Sequence, residues 1–447
     1  MTARNAILGF GITGQSVARY LLARGENPVV LDTRSERPVH ADFANLEIHW
    51  QCEAWPEQIL LDARAAIVSP GLSLSNRLLA QARASKLSLV SDIDLFFSNV
   101  TAPVIGVTGT NGKSTVVSLV GHILHSAGYR CAIGGNFGEA ALDLLDEHMD
   151  FFVLELSSFQ LEHSKNLPLA QSVILNITED HLDHHGSLHN YIAAKKKILA
   201  DAKSWIYSRE DASTQGAHLA GIASFGFTKP SSQDAWGLAS HKQQEWIFRG
   251  ELPICPSASL PLKGRHNTLN CMAAMALVEP WIVPTVVANY MSDFQGLKHR
   301  FETVTEIAGV TFVNDSKATN VGSTIAALDG LARADNVVLI AGGDAKGADL
   351  GPLADALIGR VKQLIALGKD GPGVVAVADQ CGIPYIFAAS MQDAVAAAVK
   401  GAATGDLVLL SPACASLDMY DNFQQRGDVF AHAVRGLAAA DLPVVHA

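Results

Sequence analysis

The chain has 447 residues, 49% of them hydrophobic and 17% charged, with 33 basic against 44 acidic side chains and a formal net charge of -11. That length exceeds one hydrophobic core and implies about three domains. The acidic balance excludes a broad nucleic-acid surface but leaves room for anionic small ligands held by local amides and cations. Six scattered cysteines, none in a C-x-x-C pair, point to a reduced, cytoplasmic setting without structural zinc. The first apolar run is soon broken by Gly11 and Gly14, so no secretory signal is expected. No run nears the ~18 apolar residues of a membrane span, and no membrane partner is expected.

Strand and helix patterns alternate from the start. "NAILGF" reads as a strand, "TGQSVARYLLARG" as a helix with Gly25 at its end, and "PVVLDT" as the next strand, a βαβ opening. Gly9, Gly11 and Gly14 form G-x-G-x-x-G, and Asp32 ends the following strand. That is the dinucleotide fingerprint, but any nucleotide diphosphate can use the same helix terminus, and a tight packing turn would also need the glycines. Arg34, just beyond, is placed to reach a phosphate or a base. "AAIVSPG" continues the series, and "SDIDLFFSNVTAP" changes character, which sets a boundary near Asn99.

The second region opens with the strand "PVIGVTG" and then "TNGKST". Gly112, Lys113 and Ser114 fit the phosphate loop G-x-x-x-x-G-K-[ST], yet the first glycine would fall at Val107 and stands instead at Gly109. The loop still feeds a helix N-terminus, where free amides and the dipole favour anions. Lys113 adds charge, and the Ser114 hydroxyl is a Mg²⁺ ligand type. The altered spacing suggests an NTP site outside the common GTPase and adenylate-kinase groups. "FFVLELS" ends in Glu155, the acid expected on the strand beside such a loop, where it would serve the metal. After "QSVILNIT", the stretch "EDHLDHHGS" does not match zinc-protease spacing. His181 is the expected metal ligand, with His184 and His185 read as surface residues. Lys195, Lys196 and Lys197 read as a solvated helix face. Residues 201–262 are more polar and predict shorter strands and loops, and "GRHNTLNCMAAMALV" returns to helix.

In the third region the strands "VTFVNDS", "NVVLIAGG", "KQLIALG", "IPYIFAA" and "DLVLLSP" are separated by alanine-rich helices. The polar motifs "HRFE", "VNDSKATN", "GGDAKGAD" and "SPACASLDMYDNFQQRG" sit at strand ends or in loops after strands, the edge where parallel α/β sheets bind ligands. Asp315, Lys317 and Lys346 stand among small residues there, as in a crevice.

Taken together, "GTNGKST", "LELSSFQL", "NITEDHLD", "HRFE", "NDSKATN", "GGD" and "SPACASLD" resemble the Mur ligases over the whole chain. "NDSKATN" with "SPACASLD" points to the D-glutamate-adding branch. The resemblance implies an α/β fold of three domains. A Rossmann-like domain at 1–98 would bind the UDP substrate. A P-loop ATPase-like domain with a mostly parallel sheet at 99–299 would bind ATP. A Rossmann-like domain at 300–447 would bind the amino acid. It further implies an ATP-dependent amide bond between UDP-N-acetylmuramoyl-L-alanine and D-glutamate, made through an acyl phosphate for peptidoglycan precursors. The partners would be small molecules alone, and the chain a monomer.

By matching motif, Ile12, Thr13, Thr33, Arg34, Ser69, Pro70, Gly71 and Asn136 would contact the UDP substrate. ATP would be held by Gly109, Thr110, Asn111, Gly112, Lys113, Ser114, Thr115, Asn270, Arg300, Asp315 and Lys317. Ser114 and Glu155 would serve one Mg²⁺, and His181 with a carbamylated Lys195 a second, Mn²⁺ being an alternative ion. Lys113, His181, Lys195 and Lys317 would be catalytic, and Thr319, Lys346, Ser416 and Phe423 would hold D-glutamate. The chain departs from the family's "GGDGK" at Ala345. Another carboxylate–amine ligase, such as a folylpolyglutamate synthase, and more distantly a nicotinamide dehydrogenase using "GFGITG", are the rival readings.

Overall fold

The computed structural model describes residues 4–216, 222–262, 264–331 and 333–437. It divides into one unit of Met1–Leu260 with Asn270–Asp293 and a second of Pro261–Leu269 with Phe294–Ala447.

The first unit begins with a parallel sheet of β1 (Arg4–Leu8), β2 (Val29–Leu31), β3 (Glu47–His49), β4 (Ala63–Val68) and β5 (Ser88–Ser91), in the order β3-β2-β1-β4-β5. The order reverses between β1 and β4, so a crevice opens beyond their C-terminal ends. Helices α1 (Ile12–Leu22), α2 (Glu57–Asp62) and α3 (Arg77–Ala84) connect the strands. Gly14, inside α1, is needed for packing: a Cβ there would run into the Gly9 carbonyl oxygen. The change of character near residue 91 is a helix, α4 (Asp92–Phe97), started by a reciprocal capping box between Ser91 and Asp94.

The second sheet of this unit runs β14-β13-β12-β11-β10-β9-β6-β8-β7. Its chain order is β6 (Val104–Thr108), α5 (Lys113–Ser126), β7 (Cys131–Gly135), β8 (Phe151–Glu155), α6 (Ser158–His163), β9 (Gln171–Ile174), α7 (Leu182–His185) and α8 (Leu188–Lys196). β6 is buried along its whole length, as befits a central strand covered on both faces. The polar stretch 201–262 supplies β10 (Trp205–Ser208), β11 (Ile222–Phe225), β12 (Ala235–His241), β13 (Gln244–Arg249) and β14 (Leu252–Pro256), the last three paired antiparallel. The chain passes between units within α9 (Arg265–Val278), and α10 (Pro284–Val287) follows. One core joins the two sheets through Ile7, Val17, Phe96, Val104, Phe152, Leu154 and Tyr191.

The second unit holds β15 (Glu302–Ile307), β16 (Val310–Asn314), α11 (Val321–Asp329), β17 (Val337–Gly342), α12 (Leu353–Leu357), β18 (Val361–Leu367), α13 (Gly371–Gln380), β19 (Tyr385–Phe387), α14 (Met391–Gly401), β20 (Leu407–Leu410) and α15 (Phe423–Arg435). Its sheet runs β15-β16-β20-β17-β18-β19, and only β15 is antiparallel. Alternation along the strands divides two cores. Val313, Leu339 and Leu409 face one side, while Phe312, Ile340 and Val408 face the other. Among the described residues no helix is long and apolar enough to cross a membrane.

Candidate active site

Glycine at 109 and 112 answers a backbone need. Gly109 has φ +155° and Gly112 φ +84°, and a Cβ on Gly112 would come 2.6 Å from Asn270 Oδ1. The turn between β6 and α5 is pinned from the neighbouring strand's end. Thr110 N donates to Asn176 O at 2.8 Å, Asn111 N to Asn176 Oδ1 at 2.8 Å, and Asn176 Nδ2 back to Asn111 O at 3.0 Å. Thr110 Oγ1 meets Thr178 O and the Tyr191 hydroxyl, each at 3.1 Å. The loop is thereby held in one shape with α5's first amides at its mouth, an anion site by construction. Lys113 Nζ donates to Gly109 O at 2.9 Å and Thr110 O at 2.8 Å. Thr115 lies buried one residue past Ser114, inside α5.

Glu155 stands opposite Val107 in the β6–β8 register, so its carboxylate arrives beside the loop. Ser114 Oγ donates to Glu155 Oε2 at 2.5 Å, and Asn136 Nδ2 donates to Glu155 Oε1 at 2.8 Å. Hydroxyl and carboxylate oxygens converging on a phosphate loop suit a hard cation such as Mg²⁺.

Lys195 is not on a solvated face. It is 1% exposed, its Nζ donates to Gly109 O at 2.9 Å, and it lies 4.5 Å from the Tyr191 ring centre. Burial, and then repulsion from Lys113, hold its pKa well below the ordinary lysine range, against the pull of Asp180 and Glu155. The sequence misjudged it because α8 is nearly featureless in hydrophobic pattern, while Lys197 of the same run is exposed. His181 caps α7 in the left-handed region at φ +54°, with Nε2 3.7 Å from Asp180 Oδ2 and its ring 4.9 Å from that of Phe159. The surface reading of His184 and His185 is wrong. α7 is a single turn closed by Gly186 at φ +73°, which folds both imidazoles onto α6. His184 Nε2 meets Glu162 Oε2 at 2.7 Å, and buried His185 meets Ser158 Oγ at 3.0 Å.

In the first sheet, Ile12 and Thr13 open α1 and Ser69, Pro70 and Gly71 follow β4, so both groups lie at the switch point between β1 and β4. Ser69 Oγ donates to Gly9 O at 2.9 Å across it. Thr33 is exposed next to Asp32. Asp32 itself is spent on structure: it accepts from Phe10 N at 2.6 Å, Arg34 N at 2.8 Å and the Arg34 guanidinium at 2.6 Å. Burial pushes its pKa up, but these bonds from Arg34 and Phe10 outweigh it and hold the carboxyl below its usual range. The dinucleotide fingerprint therefore lacks a free acid for a ribose.

In the second unit, three adjacent strands, β16, β20 and β17, end together. Asp315 and Lys317 follow β16, Lys346 follows β17, and Ser416 follows β20. Asp315 accepts from Ser411 Oγ at 2.9 Å and Phe301 N at 3.2 Å. Burial pushes its pKa up to about 7, despite those bonds and the nearby Arg300 and Arg426. Arg300 sits between two left-handed residues, His299 at φ +63° and Phe301 at φ +50°, and Lys346 is a third at φ +52°. Such strain persists only where surrounding structure fixes it. Lys317 Nζ lies 4.0 Å from the Phe423 ring centre, Thr319 N donates to Lys317 O at 2.8 Å, and Ser416 is buried.

Arg426 was not foreseen. It is 1% exposed and donates to Ser316 Oγ at 3.0 Å, Ser316 O at 2.8 Å and Cys414 O at 3.1 Å. Burial lowers its pKa to about 10. It ties together the two loops that carry Lys317 and Ser416. Asn176 and Tyr191, which shape the phosphate loop, were also missed; only their position just after a strand and on the helix facing it could have marked them.

A pinned glycine loop at a helix terminus, a lysine over it and a strand-end carboxylate beside it define an enzyme that handles nucleoside triphosphates. The chain belongs to the Mur ligase family. Residues 3–91 match the MurD-like N-terminal domain, 107–278 the Mur ligase middle domain, and 299–414 the Mur ligase glutamate ligase domain. It is similar to the UDP-N-acetylmuramoylalanine–D-glutamate ligase of Shewanella oneidensis, 43% identical over 438 residues, covering 96% of this chain and 98% of that one. The Pseudomonas aeruginosa protein of the same name is 40% identical over 442 residues, covering 97% and 98%. Among solved structures, UDP-N-acetylmuramate–alanine ligase from Thermotoga maritima aligns with TM-score 0.61 at 19% identity, over 97% of this chain and 99% of that chain. At that identity the likeness speaks for the fold alone.

Proposed function

We infer that this chain is the ATP-dependent ligase that joins UDP-N-acetylmuramoyl-L-alanine to D-glutamate in peptidoglycan precursor synthesis. The observation that carries the reading is the near-full-length match at 40–43% identity to ligases of that name, on a chain whose phosphate loop is intact. The substrate carboxylate attacks the γ-phosphorus and ADP departs, leaving an acyl phosphate. The D-glutamate amine then attacks the carbonyl carbon, loses a proton, and phosphate leaves.

The first step brings two anions together. Unit charges ~4 Å apart repel by about 4 kcal/mol at an effective dielectric near 20. Lys113, which now donates to its own loop, turns its ammonium to the phosphates, and the amides of 109–115 hold them in line. Ser114 and Glu155 would hold one Mg²⁺, with His181 and Lys195 serving a second; the ions supply charge neutralisation when bound. Lys195 joins that set as a carbamate. Its depressed pKa favours the neutral amine that can attack CO₂, releasing a proton and gaining a carboxylate-like group.

Ile12, Thr13, Thr33, Arg34, Ser69, Pro70, Gly71 and Asn136 take the UDP substrate. Asn270, Arg300, Asp315 and Lys317 complete the ATP contacts, and Thr319, Lys346, Ser416 and Phe423 take the amino acid. The domains divide after residues 98 and 299, and the protein works as a monomer in the cytoplasm. Product analysis with Mg-ATP, the muramoyl-alanyl nucleotide and, in turn, D-glutamate, L-glutamate and meso-diaminopimelate tests the reading. A new amide with D-glutamate alone is expected; equal product with meso-diaminopimelate rejects the assignment.

A further inference from the structure

Glu162, His184 and His185 form a cluster that the reaction above does not use. Glu162 projects from α6 and the histidines from α7, and their ligand atoms all lie within 4.8 Å of one another. His184 Nε2 is 2.7 Å and His185 Nδ1 4.0 Å from the same oxygen, Glu162 Oε2. The side chains are 12% exposed at His184, 13% at Glu162 and 2% at His185, so the group is largely enclosed.

The second nitrogen of His185 adds an independent point. Nε2 lies 3.0 Å from Ser158 Oγ. A cation held between Nδ1 and Glu162 Oε2 selects the tautomer in which Nε2 donates to the Ser158 hydroxyl and the Nδ1 lone pair faces the carboxylate across 4.0 Å. A metal-binding imidazole is commonly oriented in this way by a partner on its other nitrogen. The Phe159 ring packs 4.3 Å from the His184 ring and 5.6 Å from the His185 ring, fixing both. Lys197 donates to the Glu162 backbone carbonyl.

We propose that Glu162, His184 and His185 form a site for a borderline divalent transition metal, zinc foremost, separate from the phosphate-loop oxygens. Two imidazoles and one carboxylate suit zinc, whereas Mg²⁺ favours an octahedron of oxygens. His184 binds once its proton has moved from Nε2 to Nδ1, so metal bonds replace its hydrogen bond to Glu162. The ion ties α6 to α7, whose N-terminal cap is His181.

The test is a zinc titration of the full chain in saturating Mg²⁺, by calorimetry, with the visible d–d spectrum of cobalt as a reporter of imidazole ligation. One equivalent bound, a cobalt spectrum of low coordination number and a rise in melting temperature with zinc are expected. His184→Gln and Glu162→Gln should each weaken zinc by at least about 100-fold, the upper end of what losing even an outer-shell partner does. Glu155→Gln should leave zinc affinity unchanged. No saturable zinc binding by the wild type overturns the proposal. So does binding that is lost in Glu155→Gln and kept in His184→Gln, which would place the ion at the phosphate loop. If His184→Gln does not fold, Glu162→Gln, which keeps the side-chain shape, and the wild-type cobalt spectrum decide.

Discussion

Lys113 and Lys195 share one acceptor, the carbonyl of Gly109, yet they differ in how openly the sequence announces them. Lys113 stands in a Gly-Lys-Ser run between a strand and a helix, which marks it as a phosphate-binding candidate despite the altered glycine spacing. Lys195 sits in a run of three lysines, and only the packing of α8 on the phosphate loop singles it out. Arg426 is a stronger case: a charge inside "NFQQRGD" gives no sign that it will be buried among backbone carbonyls. Its lowered pKa reflects desolvation that no local pattern encodes. At this scale Lys113→Ala should reduce phosphate release by about 10²–10³-fold, the range for removing one preorganised donor. Binding of the UDP substrate, measured by calorimetry, should stay nearly intact, because all the residues proposed for it but Asn136 lie on the other sheet of the unit. Turnover near the wild-type level would contradict the assignment of the loop.

Helices and strands were legible where their pattern was strong. The strands β6, β8, β9, β16, β17, β18 and β20 read directly from apolar runs, because both faces of a central strand are covered. β3, β7 and β15 did not, since a three-residue strand, a glycine-ended strand and a strand with few buried residues leave little signal. The one-turn α7 was likewise invisible, and with it the inward turn of His184 and His185. The G-x-G-x-x-G element was legible as a strand, a tight turn and a helix but left its ligand open, and the Asp32–Arg34 clamp removes the acid a dinucleotide site would use. Gly14→Ala tests this element. Its Cβ would meet the Gly9 carbonyl, so α1 must shift from β1, at about 1–3 kcal/mol of stability. The KM for the UDP substrate should rise several-fold, while KM for ATP changes little. Unchanged kinetics and melting temperature would show that α1 does not need this contact.

Across the whole molecule, order of elements and family resemblance made three α/β regions legible from sequence alone, since the motifs follow the C-terminal ends of parallel strands, apart from "HRFE", which opens the antiparallel β15. What sequence could not convey is which groups lose water. Asp315 illustrates the consequence for stability. Its carboxyl titrates near 7 when folded, above the usual ~4 of the unfolded chain. Between those values the folded state keeps a proton that the unfolded state releases, so stability falls as pH rises from about 4 to about 7. Calorimetry of wild type and Asp315→Asn over that range should show the wild type losing melting temperature relative to the variant. A difference that does not change with pH would remove the buried, proton-holding carboxyl.

In the proposed reaction the phosphate loop makes a carboxylate reactive by presenting the γ-phosphate to it. Label the terminal carboxylate of UDP-N-acetylmuramoyl-L-alanine with oxygen-18, run the reaction with Mg-ATP and D-glutamate, and read the phosphate by mass spectrometry. One labelled oxygen per phosphate is predicted, because the oxygen that attacks the γ-phosphorus leaves with it. Unlabelled phosphate formed alongside the amide would contradict the acyl phosphate and the role given to the loop.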